Sequence, residues 1–234
     1  MRILDIKPYI QYEDKDILVC YKPAGLAVQS ARMGQMDLES LLKNYEASKN
    51  PGQLPFVGVV HRLDQPVEGL LVFGKNKKST AKLNQSLVQE GLGKKYLAVV
   101  HGIVREKGYL EDYLKKDTRQ NTSFVVEAGT PQSKKAVLYY IPLRAGNLMT
   151  LVEIEIGTGR HHQIRVQMSH AGMPLAGDHK YGKMDAVDNV ALCAHKIAFR
   201  HPVTGKNMKF EIRPQGIVFQ PFLQKKNKKE ETLS

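Results

Sequence analysis

The chain has 234 residues, 42% hydrophobic and 25% charged, which excludes a disordered or collagen-like polymer and suits one large mixed domain. It carries 35 Lys and Arg against 23 Asp and Glu, a formal +12, in small clusters along the whole length (Lys75, Lys77, Lys78 and Lys82; Lys94 and Lys95; Lys115 and Lys116; Lys134 and Lys135), a pattern that suits nucleic acid better than a lipid surface. Cys20 and Cys193 form no C-x-x-C pair, charges interrupt the N-terminal stretch, and no apolar run approaches the roughly 20 residues of a membrane span, so a reduced, cytoplasmic protein without a membrane segment is expected.

In chain order, ILVCY at 17–21 is rich in strand formers and runs into KPAG, where Pro23 presets φ and Gly25 permits reversal. LAV at 26–28 is therefore expected to lead back as a hairpin or tight strand turn. Asp37 can cap a helix through Leu38, Leu41, Leu42 and Tyr45, which KNPGQLP then breaks. FVGVV at 56–60 reads as a buried strand running into HRLD, and GLLVFG at 69–74 as another. A helix is expected from about Ser79 to Leu92, with Leu83, Leu87 and Val88 on one face and Gly91 and Gly93 at its end.

KYLAVVHGIV, KAVLYYIPL and LMTLVEIEI are further strands, with a polar connection around KKDTRQNTSF and a turn at RAGN. HQIRVQMSHAG at 162–172 reads as a helix stopped by Gly172 and Pro174. AHKIAFRHP and MKFEI close the strands. Strands without regular βαβ alternation predict an α+β fold on a mixed, mainly antiparallel sheet. The chain divides into one domain, residues 1–222, and a basic, frayed tail, residues 223–234.

Two stretches carry chemistry. In VVHRLD, a carboxylate on Asp64 beside Arg62 stays ionised, as a nucleophile or base requires; the same residues also suit a structural ion pair at a strand end. GTGRHHQIRVQMSHAGMPLAGDHKYG at 157–182 gathers Arg160, His161, His162, Arg165, His170 and His179 with five glycines, an anion platform that leaves Arg165 free to meet a carboxylate. Neither zinc-ligand pairing nor HExxH spacing occurs, so no metal is expected and the histidines read as core or phosphate contacts. Tyr96, just after Lys94 and Lys95, can stack on an unpaired base or pack on its strand neighbours.

Together, KPAGL at 22–26, VVHRLDQPVEGLLVFGK at 59–75, KKYLAVVHG at 94–102, the 157–182 stretch and ALCAHKIAFRHPVTGK at 191–206 resemble the RluA-type pseudouridine synthases. The resemblance implies two lobes with the active site in the cleft between them, residues 1–222 being the catalytic domain. It implies an isomerase that cuts the N1–C1′ bond of a uridine inside structured RNA (ribosomal or transfer RNA), turns the base and rejoins it through C5, with no cofactor. In that pattern Asp64 matches the catalytic aspartate, Arg165 its ion-pair partner and Tyr96 the tyrosine that stacks on uracil. Arg62 matches an arginine that enters the RNA when the base is flipped out, and Leu192 an apolar lining of the uracil pocket.

Many members carry an RNA-binding module ahead of this domain; with KPAGL inside the first thirty residues, none is expected here, and a monomer is the default. Three residues depart from the pattern: Glu68 where a small hydroxyl residue stands, His161 where Thr is commoner and Cys193 where His is commoner. Glu68 adds a second carboxylate near Asp64 that would disturb it or repel phosphate unless a cation such as Lys75 compensates. The alternatives are an RNA-binding module of the same fold without chemistry, and a glycosidase or nuclease pairing Asp64 with Glu68.

Overall fold

The computed structural model describes residues 4–30, 34–89, 93–182 and 185–224. Among them eleven strands form one sheet: β1 (Ile10–Glu13), β2 (Ile17–Lys22), β3 (Gly58–Val59), β4 (Glu68–Gly74), β5 (Gly93–His101), β6 (Gly108–Asp117), β7 (Thr122–Val126), β8 (Lys134–Ala145), β9 (Met149–Ile156), β10 (Leu192–Arg200) and β11 (Asn207–Glu211). The helices are α1 (Leu38–Lys49), α2 (Lys77–Gln89), α3 (Gln163–His170) and a single turn, α4 (Gln220–Leu223). The strand order is β1-β2-β4-β10-β5-β9-β8-β6-β7, with β11 added to β10 and β3 to β4. None of the described helices is long and apolar enough to cross a membrane.

Every pairing is antiparallel except β4 with β10, where Glu68 faces Cys193 and Gly69 faces Ala194. This short parallel contact joins the two lobes, β1-β2-β4 with α1 and α2 on one side and β10 to β7 with α3 on the other. Gly69 has φ +134°, and a Cβ there would lie 2.5 Å from the Ala194 nitrogen, so only glycine lets the strands meet.

Alternate residues of β2 and β4 feed two cores. Leu18, Cys20, Leu71 and Phe73 pack with α1 and α3 through Leu38, Leu42, Ile164 and Met168, whereas Ile17, Val19, Leu70 and Val72 pack with Leu83 of α2, Ile197 and Phe199. The Asp37 side chain accepts the Ser40 N–H at 2.8 Å and so starts α1 as its sequence predicts. Asn76 does the same for Ser79 at 2.8 Å in α2, whose Val88 is turned to solvent rather than to the core.

The turn at Gly25 forms with φ +85°, but residues 26–28 do not return as a strand. The carbonyls of Ala27 and Val28 instead accept the N–H groups of Leu38 and Glu39 at 2.9 and 3.1 Å, satisfying amides that the first turn of a helix leaves free. FVGVV contributes only the two residues of β3, and HRLD leaves the sheet as a loop. The polar stretch KKDTRQNTSF is not a mere connection: it is the β6–β7 hairpin, pairing Leu114 with Val125 and Asp117 with Thr122. Gly91 and residues 225–234, the expected helix end and most of the expected tail, lie outside the described residues.

Glu68 is 3% exposed and its carboxylate accepts from the Tyr21 hydroxyl and from the N–H groups of Gln215 and Gly216 at 3.0 and 3.1 Å. It ties the segment after β11 to β2 and β4. Glu68→Ala leaves these buried donors unpaired, at a cost of about 1–3 kcal/mol for each one that water cannot reach. Chemical denaturation should show a loss of several kcal/mol, and Glu68→Gln a smaller one because an acceptor remains.

Candidate active site

A cleft of about 580 Å³ opens between the lobes, lined by 61–64, Val67, Leu87, Lys94, Tyr96, Lys116, 156–165 and Leu192. It brings Asp64, Arg62, Tyr96, Arg165 and Leu192 together from four separate parts of the chain. Among its lining residues the sole acid is Asp64, against Arg62, Lys94, Lys116, Arg160 and Arg165.

Asp64 sits in the loop between β3 and β4, where its carbonyl accepts the Val67 N–H at 3.0 Å and turns the chain into β4. Its Oδ2 lies 3.3 Å from Arg165 Nη1 and 3.6 Å from His162 Nε2, and its side chain is 28% exposed. Arg62 is not its partner: that side chain is exposed and makes no ion pair among the described residues. Adjacent backbone positions here send Arg62 outward and Leu63 into the core, so sequence proximity gave the wrong pair.

Arg165 is not free either. Its Nε and Nη2 donate to both oxygens of Asp178 at 2.8 and 2.7 Å, and its guanidinium lies 5.1 Å from the ring centre of Tyr181. Burial pulls the guanidinium pKa down, but the Asp178 bonds and charge outweigh that and raise it. The remaining Nη1 is thus a fixed cationic donor aimed at Asp64.

His162, the residue ahead of α3, adopts φ +53° and stacks on His161 at 3.8 Å. Its Nδ1 is 2.7 Å from the Tyr181 hydroxyl, whose oxygen already accepts the Ser123 N–H at 2.8 Å. When the Tyr181 hydroxyl donates to Nδ1, the neutral imidazole carries its proton on Nε2, the nitrogen facing Asp64. Burial pushes His162 down to about 4, opposed by the Asp64 charge. His161, at one of the departures from the family pattern, takes Ser123 Oγ at 2.9 Å through Nδ1.

Tyr96 and Leu192 are 6% and 4% exposed, and burial, with the charge of Asp64, raises the Tyr96 phenol so that it stays neutral. Tyr96 faces Ala194 in the sheet and Ala194 faces Gly69, so one row of the sheet runs from the tyrosine to the strand that follows Asp64. Lys22 secures that strand's entry loop. Its Nζ, fully buried, donates to the carbonyls of Pro23, Leu26 and Gln65 at 3.0, 2.7 and 3.0 Å, and burial pulls it to about 7 despite Asp64 and Glu68.

Glu68 does not line the cleft, and Lys75 does not compensate it. Lys75 pairs with Glu13 and Glu46 instead. Cys193 is fully buried, its thiol pushed up by burial and by Glu68. The Asp178, Tyr181 and Lys22 contacts were not read from sequence; the run GDHKYG carried Asp178 and Tyr181 but no spacing rule links them to Arg165.

The family model described as RNA pseudouridylate synthase matches residues 16–170. An uncharacterized RNA pseudouridine synthase, YlyB, of Bacillus subtilis is 36% identical over 207 residues, 86% of this chain and 67% of its own length. The ribosomal large subunit pseudouridine synthase D of Pseudomonas aeruginosa is 36% identical over 226 residues, 88% of this chain and 68% of its own. This chain thus spans about two thirds of these relatives. In fold it superimposes on human RNA pseudouridylate synthase domain containing 4 with a TM-score of 0.75 at 20% identity, over 90% of each chain.

His162 gives a pH-dependent readout of this geometry. Its folded pKa of about 4 lies below the ordinary 6.5, so the unfolded chain binds the proton first, and this residue's contribution to stability is lost as pH falls from 6.5 towards 4. An NMR titration should find the imidazole neutral at about pH 5, and Asp64→Asn should lower its pKa further by removing the charge that raises it.

Proposed function

The chain belongs to the RNA pseudouridylate synthase family, and from that premise we propose that Asp64 isomerises uridine to pseudouridine within large-subunit ribosomal RNA. The N1–C1′ bond breaks, the uracil turns while still held, and a C5–C1′ bond forms; C5 gives up its proton and N1 acquires one, so composition is unchanged. No oxidant, reductant or cofactor enters this balance. The names of the relatives, ribosomal large subunit synthases C and D among them, support the choice of RNA.

The observation that carries the role of Asp64 is its isolation as the one acid of a cationic cleft, with Oδ2 fixed by Arg165 and Oδ1 without a hydrogen-bond partner among the described residues. An unengaged carboxylate oxygen beside Tyr96 and Leu192 is available to the ribose or the base. Tyr96 and Leu192 form the walls against which a flipped uracil packs, and Arg62, exposed at the rim, takes the place the base vacates. Extrusion costs a few kcal/mol, which stacking and phosphate contacts offset. Residues 1–222 then act as one catalytic domain. The buried free cysteines Cys20 and Cys193 accord with a reducing cytoplasm.

Asp64→Asn should lower pseudouridine formation at least about a hundredfold while RNA affinity stays within a few-fold, as expected for removal of a group that acts in the chemistry. Arg165→Ala should likewise act on turnover rather than affinity, since it leaves Asp64 unpartnered. Mapping pseudouridine in total RNA from cells with and without the gene reads the target directly. A wild-type protein that binds RNA and leaves every uridine unmodified would instead be a binding module.

A further inference from the structure

Two residues lining the cleft carry donors without acceptors among the described residues. His61 Nε2 accepts the Val72 amide N–H at 3.1 Å, so the neutral ring carries its proton on Nδ1, and Nδ1 is buried without a hydrogen-bond partner. Burial, with the nearby charge of Lys94, holds the His61 pKa well below 6.5 and keeps the ring neutral. A buried N–H without an acceptor costs about 1–3 kcal/mol and calls for an explanation.

Lys94 lines the same cleft and has neither a carboxylate nor a carbonyl partner among the described residues. By contrast, Lys22 has three carbonyls, Lys75 has Glu13 and Glu46, and Lys95, next in sequence, has Glu153 and Glu155. Ile197 lies opposite Lys94 on β10, and of the described residues lining the cleft with it His61, Leu87 and Tyr96 carry no charge and Asp64 is the one acid. Lys94 and Tyr96 are two positions apart on β5, so both point to one side, about 6.7 Å apart along the strand.

We propose that His61 and Lys94 form a phosphate subsite that takes a phosphodiester of the RNA next to the uridine held at Tyr96. The proposal rests on the reading of the cleft as a uridine site and adds where the backbone is gripped. A phosphate oxygen accepts from both the neutral Nδ1–H and the ammonium, and supplies the negative charge that Lys94 lacks. A uracil carbonyl would satisfy the hydrogen bonds but leave the cation uncompensated.

Burial pulls Lys94 to about 7 in the free protein, and a bound phosphate favours its charged form. RNA binding therefore takes up a proton above about pH 7, and affinity falls as pH rises. The test measures binding of purified large-subunit ribosomal RNA in the Asp64→Asn background, so that turnover does not enter, with melting temperatures as a control on folding. Lys94→Gln should weaken binding about tenfold at pH 7 and reduce the slope of log affinity against log salt by about 0.7. Lys94→Arg should bind like the parent at pH 7 and keep its affinity up to about pH 9, where the parent's has fallen by up to about tenfold.

Equal pH dependence in the parent and Lys94→Arg, or an unchanged salt slope in Lys94→Gln, would overturn the subsite. Full modification activity in Asp64→Asn alone would overturn the catalytic assignment of Asp64 and leave these binding results to stand or fall separately.

Discussion

Arg165 holds Asp64 through the one guanidinium nitrogen that Asp178 leaves open. Asp178, itself 1% exposed, takes Nε and Nη2 and also accepts the N–H groups of Lys180 and Tyr181, so a buried cation is fixed in orientation before any substrate arrives. A buried charge needs such a partner, because an unpaired guanidinium at 5% exposure would be strongly penalised. The consequence for Asp64 is a weak, 3.3 Å contact from a rigid donor, which orients one oxygen without consuming the other.

The sheet delivers Asp64 to that donor. β4 begins directly after the Asp64 loop and meets β10 at Gly69, where no side chain larger than hydrogen fits, and β10 in turn carries Leu192 and pairs with Tyr96. Lys22 closes the other side by tying the Pro23–Leu26 turn to the carbonyl after Asp64. Three contacts distant in sequence thus converge on one loop, and loops held so tightly to rigid elements are where catalytic groups sit.

Much of this was legible in the sequence, and what was not has physical causes. The strands ILVCY and GLLVFG read correctly because burial on both faces makes them apolar runs. The β6–β7 hairpin did not, because its strands are largely half-exposed and its composition is that of a connection. The cleft residues Asp64, Tyr96, Arg165 and Leu192 were named from motif resemblance, whereas the partners that set their geometry were not. Adjacency offered Arg62 as the partner of Asp64 and the resemblance offered Arg165; the contact at 3.3 Å comes from Arg165, distant in sequence. Asp178, Tyr181 and Lys22 act through side-chain reach across elements, which no local periodicity encodes.

The same distinction separates the two carboxylates that a reading of VVHRLDQPVEG places side by side. Glu68 lies in the sheet, and a tyrosine hydroxyl and two backbone amides occupy its oxygens, so it has little left to offer a ligand. Asp64 lies in the loop, 28% exposed at its side chain, with one oxygen engaged and cations on the surrounding walls. Two chemically equivalent groups thus differ in how fully the fold satisfies them. A carboxylate saturated by the fold stabilises it, and one left partly unsatisfied in a cationic cleft is where an incoming ribose or base finds a partner.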